Sequence, residues 1–411
     1  MSPTVRQRVS SGRAFTLLLS SGLLSCGART ELPTDDGRVG GGGTAGEGAG
    51  GSGAGGDGAG GDGAGGLAGG GMGGGVGGVE QLALGAGHSC LRGFDGDVFC
   101  WGRNADGQLG VGSDDPSFVP LQAALPEPAR FLAAGTRHTC AITTSDRVFC
   151  WGDNEAGQVE AGIPGASVLA PSELGLFSGG VPVGLALGET STCLLLQDQV
   201  LCWGGGFDGI EPVASGGEGV TAGSFHQCVL SGGLVSCFGA NAQAQCGTLT
   251  PTQIDPPGTP LMLPFAALGV RAGRGNHTCA FDAVSAQCWG DNDNGQLGTG
   301  LTSEKSEPVS PSAGPFEDMA PGFAHTCGLS GGQVLCWGQN GSGQLGRPGP
   351  TDPFPGFVPG LSRVVAIGTG TVHSCAYVSP TEIYCWGGND FGQLGDGTDQ
   401  SSSEPVLVTL P

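Results

Sequence analysis

Lysine is almost missing from this chain of 411 residues: Lys305 is the only one. Fifteen lysines and arginines stand against 37 aspartates and glutamates, a formal charge of -22. No basic stripe is present that could track a phosphate backbone, which argues against a nucleic-acid partner. The charge favours solubility and keeps anionic partners away, and it carries no information about the fold. Catalytic signatures are missing too. No serine sits in a nucleophile elbow and no His-Glu-x-x-His occurs. The glycine-rich stretch is not closed by Gly-Lys-Ser/Thr and comes after no strand, so it is not a phosphate loop. The sequence therefore reads as a non-enzyme that needs no cofactor and no metal.

Long apolar runs are scarce. Residues 14–24 form a short one behind Arg6, Arg8 and Arg13, too short to span a bilayer as a mature helix and placed as an export signal. It ends in Leu23-Leu24-Ser25-Cys26, which resembles a bacterial lipobox. The resemblance implies cleavage after residue 25, a lipid thioether on Cys26 and acylation of the new amino terminus. Gly27 in place of aspartate implies the outer membrane. Two or more acyl chains anchor a protein stably, so the membrane is met through the lipid alone. Removing residues 1–25 takes away three arginines and no acids, which leaves 12 basic residues against 37 acidic ones.

Residues 26–78 read as the lipidated terminus and a disordered tether. From Gly40 to Gly78, 25 of 39 positions are glycine, with no proline period that would suggest collagen. Such a segment cannot bury enough apolar surface to offset chain entropy. A flexible coil of about 50 residues spans roughly 40 Å.

Residues 79–411 are one line written seven times. Aligning the chain on Cys-Trp-Gly gives Cys100-Trp101-Gly102, then Trp151, Trp203, Phe238, Trp289, Trp337 and Trp386 in the same slot. All six tryptophans are used there. All six histidines sit two residues before an upstream cysteine: His88, His138, His226, His277, His325 and His373, with Ser191 in the third copy. Downstream comes Asn-x-x-Gly-Gln-Leu-Gly, as in NADGQLG and NDFGQLG; the second copy reads NEAGQVE, the fourth NAQAQCG, and the third lacks it. Each copy reads as short antiparallel strands with turn residues between them. Side chains alternate along a strand, so each His shares a face with its Cys and the Trp lies on the other. A unit of this length cannot bury both faces alone, whereas units packed in a ring can. The sequence thus predicts an all-β, seven-bladed β-propeller. Glu-Pro-Val at 211–213 and 307–309 precedes later copies and returns at 404–406 with no copy after it. This predicts that the C-terminal strand completes blade one, clasps the ring and leaves no blade edge open.

The spelling Ala-Gly-x-x-His-Ser/Thr followed by Trp-Gly-x-Asn-x-x-Gly-Gln-Leu-Gly, over residues 79–411, strongly resembles the regulator of chromosome condensation repeat family. The resemblance implies the propeller fold. Some eukaryotic members of that family exchange guanine nucleotide on a small GTPase and contact chromatin. An exported acidic lipoprotein meets neither partner. Secreted bacterial proteins of similar fold bind other proteins, one as an inhibitor of β-lactamase. Fold by itself licenses only an expectation of binding.

The cysteines depart from the family pattern, which has ordinary residues in their slots. They fall into seven pairs: Cys90 with Cys100, Cys140 with Cys150, Cys193 with Cys202, Cys228 with Cys237, Cys279 with Cys288, Cys327 with Cys336 and Cys375 with Cys385. Separations of 10 or 9 residues suit cross-strand neighbours in a hairpin. Two-residue Gly-Gly turns in SGGL and SGGQ place two of these pairs directly opposite each other. Opposed strand positions lie within disulfide reach, and export supplies an oxidising compartment. The alternatives are buried free thiols and a zinc site built on His-x-Cys, while each histidine has a plain role as a repeat residue bonded within its own blade. Cys246 stands where the repeat has leucine and reads as a buried small apolar substitute, with an exposed or intermolecular thiol as the alternative.

A functional surface is expected where copies depart from the repeat. Blades three and four are irregular: GGGFDGI replaces the Gly-Gln-Leu-Gly turn and carries Phe207, and Phe238 replaces tryptophan. A proline-rich segment, residues 347–360, carries Phe354 and Phe357. Loops on a rigid scaffold commonly bind partners. The expectation is a monomeric outer-membrane lipoprotein that binds another protein or an envelope component. The alternatives are a structural envelope protein without a ligand and a polysaccharide-active enzyme, the latter requiring paired carboxylates at the centre of the ring.

Overall fold

Every blade begins with a stretch that must be buried. In the computed structural model, which describes residues 79–175, 180–378 and 381–410, the apolar segment Val79–Leu84 is the inner strand of blade one. His88–Gly93 comes second, Val98–Gly102 third and Ser117–Gln122 outermost. Six more four-stranded antiparallel sheets repeat this order, covering residues 129–173, 182–215, 219–254, 269–309, 318–357 and 364–407. The described residues contain no helix. The export signal, Cys26 and the glycine tether lie outside the described residues.

Each hairpin between the second and third strands sets the cysteine register. Cys90 is the strand partner of Cys100, Cys140 of Cys150, Cys193 of Cys202 and Cys228 of Cys237. Cys279 in turn faces Cys288, Cys327 faces Cys336 and Cys375 faces Cys385. All seven pairs form disulfides, with Cα atoms 4.0 or 4.1 Å apart. The buried-thiol and zinc alternatives give way to this pairing. In the Gly-Gly turns both residues have positive φ, 57° and 77° at Gly232 and Gly233, the geometry that matches strand twist. The glycine after each tryptophan is also forced. Gly102 has φ 102°, and a Cβ there would stand 2.6 Å from the Gly87 carbonyl oxygen.

The alternation of faces decides how blades meet. His88 and Cys90 look toward blade two, while Ser89 and Trp101 look back toward blade seven. Every joint between blades accordingly has its own apolar cluster, seven in all among the described residues. At the joint of blades seven and one, Leu82, Leu84 and Trp101 pack with Tyr377, Ile383 and Leu394.

The expected clasp is not formed. Ser402–Leu407 pairs with Glu382–Gly387 inside blade seven, and Val79–Leu84 already supplies the inner strand of blade one. Glu-Pro-Val therefore ends a copy as its outer strand, as at Glu211–Ser215 and Ser303–Val309. The ring closes through side chains, and each blade keeps an outer edge. Prolines protect those edges: Pro120, Pro171, Pro212, Pro308, Pro353 and Pro405 all lie on outer strands, where a residue without N–H cannot extend pairing to another chain.

Candidate binding cleft between blades three and four

The repeat's histidine, hydroxyl, tryptophan and glutamine converge on one point at six of the seven joints. His88 Nε2 lies 3.0 Å from Thr139 Oγ1 of the next blade. Thr139 donates to the Gln108 carbonyl at 2.9 Å, and the Trp151 indole donates to the same carbonyl at 2.9 Å. Because the threonine gives its hydrogen to Gln108, it accepts from the histidine, which fixes the imidazole proton on Nε2. The arrangement recurs at His138–Thr192, His226–Thr278, His277–Thr326, His325–Ser374 and His373–Ser89. The histidines thus bond between blades and not within their own, because their strand face is turned to the next blade. Burial pushes the imidazoles of His138, His226, His277, His325 and His373 down to about 3, and His88 well below its ordinary value. Their Nδ1 atoms have no hydrogen-bond partner among the described residues, so a second ring proton would be buried without an acceptor.

The same turn sends one side chain into the next joint. Leu109, Val159, Cys246, Leu297, Leu345 and Leu394 are all buried in the clusters there. Cys246 is therefore a substitute for leucine; burial pushes its thiol up to about 12. The closing glycine of the turn lies against the next tryptophan: a Cβ on Gly110 would stand 2.7 Å from the Trp151 Nε1.

Joint three to four breaks all of these rules together. Blade three has no Gly-Gln-Leu-Gly turn, so no glutamine carbonyl is offered. The next blade carries Phe238, which has no N–H to satisfy, in the tryptophan slot. Ser191 stands for histidine and Gln227 for the hydroxyl, and the bond runs in reverse, with Gln227 Nε2 donating to Ser191 Oγ at 3.0 Å. No turn residue enters the buried cluster; Phe207 packs partly against it instead. The space left is a cleft of about 560 Å³, within the range of small-ligand sites. It is lined by Thr190, Ser191, Phe207, Phe225, Gln227, Phe238 and Ile254, with Glu211 and Asp255 the only charged residues in the lining among the described residues. Phe225 stands half-exposed at 51 %.

Of the aromatic residues singled out in the sequence, Phe207 lines this cleft. Phe238 also borders it but is 1 % exposed. It belongs to the joint core and offers no surface, a correction that follows from its place in the inward-facing tryptophan slot. Phe354 and Phe357 lie on the outer strand of blade six, 56 % and 58 % exposed, and take no part in the cleft. Phe354 covers Gly300 of the preceding blade's loop. Sequence reading missed Phe225, Gln227, Glu211 and Asp255. The available signal was Gln227 in a slot where every other copy has Ser or Thr.

The central axis is closed by an arginine. Blade five has three residues between its turn glycine Gly273 and His277, where blade one has two. The longer turn carries Arg274 across the channel. Its Nε donates to the Leu84 carbonyl at 3.1 Å and its Nη1 to the Leu187 carbonyl at 3.4 Å, with a further bond to Ala134. Burial pushes its guanidinium down to about 10, so it is charged at neutral pH. Deeper in, Arg271 pairs with Asp318 at 3.2 Å. Among the described residues Asp318 is the only carboxylate in the lining of this central pocket, which gives the carbohydrate-hydrolase alternative no support there.

Profiles of the regulator of chromosome condensation (RCC1) repeat match residues 95–142, 331–377 and 382–411, and 79–108 and 130–158. Among solved structures, human WBSCR16 is similar over 77 % of this chain and 94 % of its own, with 22 % identity and a TM-score of 0.68. Prp20p from Saccharomyces cerevisiae is similar over 80 % of this chain and 77 % of its own, with 19 % identity and a TM-score of 0.49. The ectodomain of the Physcomitrella patens receptor kinase CR4 is similar over 76 % and 74 %, with 21 % identity and a TM-score of 0.49. No curated protein matches the chain. The profiles thus find regulator of chromosome condensation repeats at residues 79–158, 331–377 and 382–411 of a chain whose seven tandem copies build a seven-bladed ring.

Proposed function

We propose that this chain is an envelope lipoprotein, held in the outer membrane through Cys26, that displays its propeller as a protein-binding scaffold. Seven disulfides fit an extracellular or periplasmic setting. The observation that carries the binding reading is the cleft at the one joint where four repeat positions change together. A packing defect alone would destabilise the ring. Here Phe238, Ser191 and Gln227 compensate for the missing turn while the cleft stays open. The test is capture from intact membranes with the full-length protein and the Phe225→Ala variant side by side. Recovery of one protein by the parent and its loss with the variant supports the scaffold. Recovery of nothing by either, after crosslinking, supports a structural envelope protein instead.

A further inference from the structure

The shape of the cleft says what belongs in it. At six joints the chain inserts its own reverse turn, whose apolar residue is buried between blades and whose glutamine carbonyl faces the next blade. At the joint of blades three and four the turn is missing while the blades around it keep their places, so the cleft is the mould of a turn that this chain does not supply. Its walls are apolar at Phe207 and Ile254, which pack against the core of the joint, and at the half-exposed Phe225, and among the described residues its charged groups are both carboxylates, Glu211 and Asp255. No lysine or arginine among the described residues lines it, and the chain as a whole carries -22.

We propose that the cleft receives a reverse turn of a partner protein that carries an aliphatic side chain flanked by basic residues. This deepens the scaffold reading and rests on it. The aliphatic residue takes the position that Leu109 or Leu297 holds at other joints, and the basic flank meets Glu211 and Asp255 at the mouth. A polar loop would leave the phenylalanine walls wet, and an acidic one would meet carboxylates of the same sign.

The test uses the full-length protein in detergent and a cyclic peptide with Lys-Gly-Gln-Leu-Gly-Lys in its turn, followed by calorimetry at low and high salt. Three controls accompany it: the peptide with leucine replaced by alanine, the peptide with both lysines replaced by glutamate, and cellotetraose as a neutral saccharide. The expected result is saturable binding of the basic leucine peptide. It should weaken at least tenfold with either altered peptide, with Phe225→Ala, and with Glu211→Gln combined with Asp255→Asn. Phe225 and Asp255 are exposed, and Glu211→Gln keeps an oxygen for the Asp208 backbone N–H it now accepts. Near-ultraviolet circular dichroism and the disulfide count confirm that each variant is folded. Absence of peptide binding, binding indifferent to these changes, or cellotetraose binding in place of the peptide overturns the proposal. Membrane capture separates this outcome from failure of the scaffold reading: a partner retained by the Glu211→Gln, Asp255→Asn variant and by Phe225→Ala leaves the scaffold standing and places its binding surface elsewhere.

Discussion

The Trp101 indole donates to the Gln393 carbonyl at 2.9 Å, joining residues 292 positions apart and closing the ring. The bond that shuts the propeller is the same bond that holds five of its six internal joints. The last joint is therefore an ordinary joint, which is why no exchanged strand is needed there.

That equivalence predicts the behaviour of two aromatic exchanges. Trp101→Phe removes one donor but leaves the Gln393 carbonyl its bond from Ser89 Oγ at 2.9 Å. It should cost at least about 1 kcal/mol, the net worth of a hydrogen bond, with the cavity the smaller ring leaves in a fully buried site adding to it. Phe238→Trp restores the repeat's spelling yet buries an N–H at the joint with no glutamine carbonyl. It should also lower stability, by about 1–3 kcal/mol. Guanidinium denaturation under oxidising conditions reads both, and a stabilised Phe238→Trp variant would sink the account of joint three to four.

Arg274 should matter for folding more than its place in a channel suggests. It gathers carbonyls from blades one, two and three onto a side chain of blade five. Arg274→Ala should cost about 2–3 kcal/mol, since hydrogen bonds to a charged group exceed neutral ones. Arg274→Lys should recover only part of this, because a point charge cannot fork to three acceptors. Thermal melting of the two variants against the parent checks the order.

Acid should loosen the ring. The unfolded chain binds protons on its histidines below about 6.5, while five of the folded imidazoles hold out to about 3 and His88 is lowered as well. Across that window the unfolded state holds more protons, so stability is full above about pH 6.5 and declines as pH falls toward about 3. Each histidine contributes about 1.4 kcal/mol per pH unit where the two states differ by a full proton. Denaturation midpoints measured in steps from neutral pH down to about pH 4 should fall steadily. Replacing His226 and Thr278 together by apolar residues should make the decline shallower.

Thiol chemistry should separate folded from unfolded protein cleanly. Cys246 is the one free cysteine among the described residues, and its buried thiol is held as the neutral, unreactive form. Native protein should resist alkylation, and denatured unreduced protein should take one label there. Each hairpin disulfide closes a loop of about 11 residues, worth up to roughly 2.5–3 kcal/mol in chain entropy. Replacing Cys140 and Cys150 by alanine should lower stability by about that much, with the loss of two buried sulfurs from the core adding to it. Peptide mapping after alkylation and denaturation curves of the double variant read the two effects.

Whatever depends on neighbours along the chain was legible in the residues. Alternation along His-x-Cys and Cys-Trp-Gly set which side chains share a face, and hairpins as short as Ser231 to Leu234 left each cysteine one partner within reach. Seven copies of that unit required a ring. How one copy joins another was not legible. The histidines reach across to the next blade's hydroxyls, Ser402–Leu407 stays in blade seven, and Arg274 spans the channel to strands that lie up to 190 positions away. Phe238 looked like a surface departure and proved to be the core's answer to a carbonyl that blade three does not provide. Local periodicity fixes the direction in which a side chain points. Only closure of the ring fixes what it meets there, because the contacting atoms belong to segments whose separation leaves no periodic trace in the chain.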